Sequence, residues 1–339
     1  MGEKIPERMK AVMQYEPGGN LVVTEVPVPK PANGEVLVKM VASPFNPSDL
    51  SLLKGTYAQK PDYPFIPGIE GSGTVVKAGK GILPAVRMGK NVACTSAGKG
   101  GTWAEYMVTS AMNCIPLKRN ADIMQSSMLI VNPMTALAFI EIAKKNNASA
   151  IVNNAAASVL GRMLLKLCVG EGITLINIVR RKEQEDILSR EGAKYILNSS
   201  HPDFSKQLQD VVTKLNATIL FDAIGGDQTT ALISAAQANS KIIIYSNMSG
   251  EPFQALPRDF VQQNKSVSGF YLGHWTHDIG IIKTLSLIGK VKKLAGFELK
   301  SDIRKTFPLK DANEALHFYQ NGMTGGKILL SMNQPEQKS

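Results

Sequence analysis

Two short stretches carry residue types that could hold a large anion. The first is IVNNAAASVLGRMLLKLC, Ile151–Cys168, which reads as an apolar strand, a turn of small residues and an amphipathic helix. A helix N-terminus offers free N–H groups and a partial positive charge. Small side chains at Ala155, Ala156, Ala157 and Ser158 leave that backbone accessible, and Ser158 adds a hydroxyl donor. A dinucleotide fingerprint uses separate glycines for the tight turn, the approach to a pyrophosphate and helix–strand packing. Only Gly161 remains here, at the packing position. An ordinary strand–turn–helix fits the same residues.

The second stretch is NIVRRK, Asn177–Lys182, at the end of the next strand-like run. In open parallel sheets this tip faces the adenosine ribose, where a carboxylate binds the 2′-hydroxyl and an arginine accommodates a 2′-phosphate. Arg180, Arg181 and Lys182 precede the first carboxylate, Glu183. A cationic fork suits a phosphate dianion, so NADPH is expected over NADH. The alternative is a solvated basic helix start, although cations are disfavoured at a helix N-terminus. Gly225 follows Asp222 where backbone must approach a ribose closely, and is a further expected cofactor contact.

Elements must place these residues. From Ile123 onward strands and helices alternate: strands at 150–153, 174–179, 195–198, 218–222, 241–245 and 265–272, with helices at 161–170, 182–191, 202–215 and 228–237 between them. This pattern predicts a parallel sheet covered on both faces. Residues 124–145 read as helical, interrupted before Pro133. The first third, rich in Gly and Pro with short runs at 21–26, 35–42, 71–76, 91–95 and 103–108, reads as an irregular β-rich domain. Helices at 278–293 and 309–322 and a strand at 326–331 form a tail expected to rejoin it. The expected division is 1–125, 126–272 and 273–339, an α/β chain of two domains with the first discontinuous.

Composition narrows the class. The 339 residues are 44% hydrophobic, as in ordinary globular proteins. No apolar run reaches the ~18–20 residues that span a bilayer. The start, MGEKIPERMK, lacks the apolar region of a secretory signal and is too acidic for a convincing transit peptide. It also lacks the hydroxyl residue of a myristoylation motif. Cys94, Cys114 and Cys168 are odd in number and scattered, which suits a reducing compartment and no local metal site. The expected location is the cytoplasm, with the mitochondrial matrix as the other reducing choice. The net charge of +10 is spread without aromatic interleaving, so an anionic cofactor or substrate is expected rather than nucleic acid.

At PFNPSDLSLLKGTYAQKPDYPFIPGIEGSGTVVKAG, Pro44–Gly79, the chain resembles the medium-chain dehydrogenase/reductases, and the likeness runs from Met9 to Met332. The branch it is similar to is the zinc-free one, quinone oxidoreductases and 2-enoyl thioester reductases. Zinc-dependent relatives carry a Cys before the Asp and a Gly-His-Glu later; here Asn46 and Ser48 precede Asp49, and Ile69 stands where the His would be. Cys94 runs on to GGTWAEY without a four-cysteine loop, so metal ligands of either kind are missing. The resemblance implies a GroES-like catalytic domain and a Rossmann cofactor domain. VNPMTA, INIVR, YSNMS and GFYLGHW lean toward the enoyl reductases.

By resemblance, Asn132 lies near the nicotinamide carboxamide, with Thr135 either a cofactor donor or a helix cap. Ala157, Ser158, Val159 and Leu160 form the pyrophosphate turn. Tyr245, Ser246, Asn247 and Met248, then Phe270, Tyr271, Leu272 and Gly273, line the nicotinamide half. Lys327, in GGKILL, matches a cofactor-side lysine. The family usually has Gly at Val159, and paired glycines at Ser246 and Asn247, so the departures imply a weaker cofactor grip or an altered cofactor geometry. Tyr57, in GTYAQKP, matches the enoyl reductase proton donor, and Asn46 could fix substrate or nicotinamide. The implied activity is NADPH-dependent, zinc-independent reduction of an activated C=C bond in an enone, enal or 2-enoyl thioester. Quinone reduction is the alternative, because the same GTY occurs there and shapes the pocket. A retired, catalytically inactive dinucleotide-binding scaffold is the reading from another class. The partner is a small electrophile, and the resemblance implies a homodimer through the 265–272 strand, which would otherwise be a lone edge that invites pairing. His274 and Trp275 are expected near the cleft, His274 as a surface residue after the last strand, and Asp49 reads as a holder of the NPSD turn.

Overall fold

A computed structural model describes residues 4–57, 60–96, 98 and 100–332. The chain divides into two compact units, Met1–Val131 with Ser301–Ser339, and Asn132–Lys300.

The first unit is built on antiparallel strands. Arg8–Gln14 and Leu21–Pro27 form a hairpin ladder. A seven-stranded sheet runs in the order Ile303–Pro308, Lys327–Ser331, Glu35–Pro44, Glu70–Ala78, Asn91–Thr95 and Cys114–Pro116, with Tyr106–Ser110 also paired to Glu35–Pro44. The C-terminal strand Lys327–Ser331 lies antiparallel beside Glu35–Pro44, which makes the unit discontinuous. Phe45, Trp103, Phe307, Tyr319 and Leu330 share one core cluster, so the two chain segments are sewn together by apolar burial.

The second unit is a Rossmann-like sheet of six parallel strands. Their order is Tyr195–Asn198, Thr174–Val179, Ala150–Asn153, Ile219–Asp222, Lys241–Ile244 and Ser266–Gly269. Both faces are covered, and adjacent residues show it. Leu220 packs in a cluster with Leu208 and Val212 of the helix Phe204–Leu215 and Leu232 of the helix Gly226–Ala235. Its neighbour Phe221 stacks instead on Phe139 of the helix Val131–Lys145, ring centroids 3.9 Å apart. Strand order reverses at Ala150–Asn153, and ligands of such sheets bind beyond the carboxyl ends at that point.

Two expectations about boundaries differ from the structure. The last parallel strand is Ser266–Gly269, and Leu272 begins a helix, Leu272–Asp278, instead of ending the strand. The chain rejoins the first unit at Ser301, not at 273. The reason lies in the helix Gly280–Leu294, which buries Leu287 and Val291 and forms ion pairs from Lys283 to Glu141 (2.7 Å) and Lys290 to Glu171 (2.6 Å). Strands at Arg8–Gln14, Cys114–Pro116 and Ile303–Pro308 were not foreseen. The described residues contain no helix long and apolar enough to cross a membrane.

Candidate functional site

In the second unit the candidate residues gather at the carboxyl ends of successive strands. The small-residue turn follows Ala150–Asn153, Arg180 follows Thr174–Val179, and Gly225 follows Ile219–Asp222. Tyr245–Met248 follow Lys241–Ile244, and Phe270–Gly273 follow Ser266–Gly269. Asn132 and Thr135, both buried, sit in the first turns of the helix Val131–Lys145.

The turn contains a left-handed residue although no glycine stands there. Ala155 takes φ +50°, a left-handed conformation that an alanine adopts at a cost of about 1 kcal/mol. Ser158 is the N-cap of the helix Val159–Glu171, its Oγ accepting from the Gly161 N–H at 3.1 Å. Its own proton stays available to a phosphate oxygen. Val159 and Leu160 occupy the first turn, where N–H groups lie outside the helical ladder. Gly161 has a hard reason to be glycine: a Cβ there would lie 2.2 Å from the Ala156 carbonyl oxygen.

A buried polar clasp shapes the neighbouring strand ends. Asn154 Nδ2 donates to Asp222 Oδ1 at 2.5 Å, and Asn154 Oδ1 accepts from the Ala223 N–H at 2.6 Å. Asp222 Oδ1 also accepts from the Ile224 and Gly225 N–H groups, and its Oδ2 from the Thr229 hydroxyl. That carboxylate is spent on holding the turn in which Gly225 takes φ +80°. A Cβ on Gly225 would lie 2.2 Å from Asn247 Oδ1, so the absence of a side chain is what lets the two turns meet. Tyr245 donates from Oη to Asn153 Oδ1 at 3.0 Å, and burial pushes its phenol above the usual range.

The basic stretch is split in use. Gln184 Oε1 accepts from the Arg180 and Arg181 N–H groups and so folds the start of the helix Lys182–Arg190. Lys182 turns onto its own helix, pairing with Glu185 at 3.0 Å and Asp186 at 3.4 Å. Arg180 is exposed, and its guanidinium has no partner among the described residues. The open guanidinium, the capped helix N-terminus and the two glycine-dependent contacts fit a phosphorylated dinucleotide.

A cavity of about 450 Å³ opens at the ends of the last two strands, lined by Ile244, Gly269, Phe270, Tyr271, His274, Trp275 and Asp278. His274 and Trp275, both expected near the cleft, line this cavity, and His274 is exposed there, as a surface residue would be. Asp278 was missed. The GFYLGHW run was the available signal, but the seven-residue helix Leu272–Asp278 is what aims all three together.

In the first unit, Tyr57 is half-buried, just past the helix Pro47–Leu53. Asn46 is fully buried and its amide is engaged at both ends: Nδ2 donates to Glu70 Oε1 at 3.0 Å, and Oδ1 accepts from the Lys327 ammonium. One amide hydrogen is left for any other role. Lys327 is also buried, donating to the Phe45 carbonyl at 3.2 Å. Asp49 holds the turn, accepting from the Asn46 N–H at 2.8 Å and the Ile69 N–H at 3.1 Å. Burial pushes its carboxyl up to about 7 and raises Glu70 too, while Lys327 is pushed down by burial. These residues do not fit zinc: an ammonium already occupies the Asn46 oxygen, and an amide and an isoleucine replace thiolate and imidazole donors.

Both units match known family models. Residues 32–119 match the alcohol dehydrogenase GroES-like domain, and residues 159–286 match the zinc-binding dehydrogenase model. Together these span more than half of the chain, which belongs to the medium-chain dehydrogenase/reductase superfamily of oxidoreductases. The chain is 26% identical over 328 residues to a mitochondrial enoyl-[acyl-carrier-protein] reductase of Xenopus tropicalis, covering 94% of this chain and 93% of that one. It superposes on a candidate NADPH:quinone reductase of Mesorhizobium loti with a TM-score of 0.91 and 29% identity, covering 97% and 100% of the two chains. A Thermus thermophilus quinone oxidoreductase, solved also with NADPH, has the same fold at 19% identity, a TM-score of 0.77 and coverage of 96% and 100%.

Proposed function

We propose that the protein is an NADPH-dependent, zinc-independent reductase of activated C=C bonds, with enones, enals or 2-enoyl thioesters as substrates. The observation that carries the cofactor choice is the open Arg180 guanidinium at the tip of the second strand in the strand order, with no carboxylate beside it to accept a ribose hydroxyl. NADPH, when bound, supplies the hydride that adds to the β-carbon. Arg180, with Arg181 alongside, holds the 2′-phosphate, while Lys182 stays paired with Glu185 and Asp186; the Ala157–Leu160 turn holds the pyrophosphate. Asn132, Thr135, Gly225, Tyr245–Met248 and Phe270–Gly273 border the nicotinamide half. Tyr57 delivers the proton to the α-carbon as a general acid.

Quinone reduction is the second reading, favoured by the Mesorhizobium loti match over 97% of the chain. The Phe270, Tyr271 and Trp275 rings around the cavity suit a flat acceptor. A panel of enones, 2-enoyl thioesters and quinones, assayed with NADPH and NADH, separates the two. Enoyl turnover that depends on NADPH supports the first; turnover confined to quinones replaces it. Absence of saturable NADPH binding would point to a retired scaffold. The three buried free thiols suit the cytoplasm or the mitochondrial matrix.

A further inference from the structure

A buried charged junction in the first unit joins three segments that are far apart in sequence. Asn46, Asp49 and Glu70 are fully buried and Lys327 is 4% exposed. They lie at the start of the helix Pro47–Leu53, the strand Glu70–Ala78 and the strand Lys327–Ser331. Lys327 reaches the Phe45 carbonyl and the Asn46 amide, Asn46 reaches Glu70, and Asp49 ties the Asn46 and Ile69 N–H groups. The Phe45 N–H donates to the Ile328 carbonyl at 3.0 Å, closing the junction. One ammonium faces two carboxylates out of contact with water. Apolar side chains would join three segments more cheaply, so the charges call for a role beyond cohesion.

The helix that starts here ends at Leu53, and the chain turns at once toward Tyr57. Gly55, at φ +69°, donates its N–H to Leu52, and Thr56 donates to the Ser51 carbonyl at 2.9 Å. The turn before Tyr57 is therefore fastened to a seven-residue helix whose other end is fastened at Asn46. Apolar packing would let that helix slide and rotate, whereas directional bonds at Asn46 fix both. We propose that Glu70 and Lys327 are positioning residues for Tyr57, acting through Asn46 and the helix Pro47–Leu53. This rests on the reading of Tyr57 as proton donor. It also departs from the resemblance, which makes Lys327 a cofactor contact.

A double-mutant cycle tests it. Lys327→Met, Tyr57→Phe and the double variant are compared for kcat on an enone and for NADPH affinity by fluorescence titration. Misplacing a catalytic group by about 1 Å costs up to about 100-fold, so Lys327→Met is expected to lower kcat by about 10-fold or more. NADPH affinity should stay within about twofold, and the loss should vanish in the Tyr57→Phe background, because residues acting as a unit are not additive. Independent, multiplying losses would overturn the proposal, as would a fall in NADPH affinity or an unchanged kcat in folded Lys327→Met. If Tyr57→Phe alone leaves enone turnover intact, the proton-donor reading fails first and takes the proposal with it. Should Lys327→Met fail to fold, Glu70→Gln enters the same cycle, since it removes one charge and keeps an acceptor oxygen for only one of its two sets of donors, the Asn46 amide or the Ile130 and Val131 N–H groups. The same outcomes decide it.

Discussion

Tyr57 and Arg180 divide the proposed chemistry, one in each unit. Removing the Tyr57 hydroxyl is expected to lower kcat on enones by about 100-fold or more, the usual weight of a general acid. Quinone turnover should change little, because a quinone collects its second proton from water. Stopped-flow rates of the Tyr57→Phe variant on both substrates check this; equal losses on both would mean that the ring shapes the pocket. Asp49 makes a separate expectation about pH. Its folded carboxyl, at about 7, lies above the ordinary value of 3.8, so burial disfavours the charged form. The neutral form's contribution to stability is therefore complete below about pH 4 and is lost as pH rises toward and through 7. Glu70, also raised by burial, acts in the same direction. Urea denaturation between pH 4 and 8 should show stability falling across that window, with a shallower slope in Asp49→Asn. A slope of opposite sign would contradict the burial of these carboxyls.

Among elements, the helix Val159–Glu171 owes its seat to Gly161. With a Cβ 2.2 Å from the Ala156 carbonyl, Gly161→Ala must push the helix off its strand. Strain of this kind costs about 1–3 kcal/mol. Thermal unfolding should show the loss, and NADPH binding should weaken as well, because the helix carries the turn proposed to hold the pyrophosphate. An unchanged melting temperature would mean that the turn relaxes freely. The alternation of this half was legible: short runs such as ILFD, set between longer helical stretches, suit strands inside a covered sheet, and all four of its residues are buried. The exposed basic tip was legible too, since NIVRRK passes from apolar to charged at Arg180, where the structure passes from buried to exposed. The junction of Asn46, Glu70 and Lys327 was not. Its members lie up to 281 residues apart, and only the return of the C-terminal strand beside Glu35–Pro44 brings them together. Nor did the sequence show that Lys182 would spend its charge on Glu185 and Asp186. Both acids lie at helical spacing, but a phosphate could equally have claimed the lysine.

On the scale of the whole molecule, the second unit ends on an open strand. Ser266–Gly269 pairs on one side only, and exposed Leu256, Val261, Ile281, Ile282 and Leu285 belong to the same unit. An unpaired edge and exposed apolar side chains both favour association with a second copy. Sedimentation equilibrium should give twice the 36.6 kDa chain mass; a monomer at micromolar concentration would argue against pairing at this edge. The central proposal is choice of the phosphorylated coenzyme by Arg180, and calorimetry addresses it most directly. Titrating the wild-type protein and Arg180→Ala with NADPH and with NADH should show NADPH bound more tightly by the wild type. The substitution should weaken NADPH by about 10-fold or more, the worth of a charge-assisted bond to phosphate, and leave NADH unchanged. Equal or tighter binding of NADH by the wild type, or an Arg180→Ala protein with undiminished preference for NADPH, would contradict it.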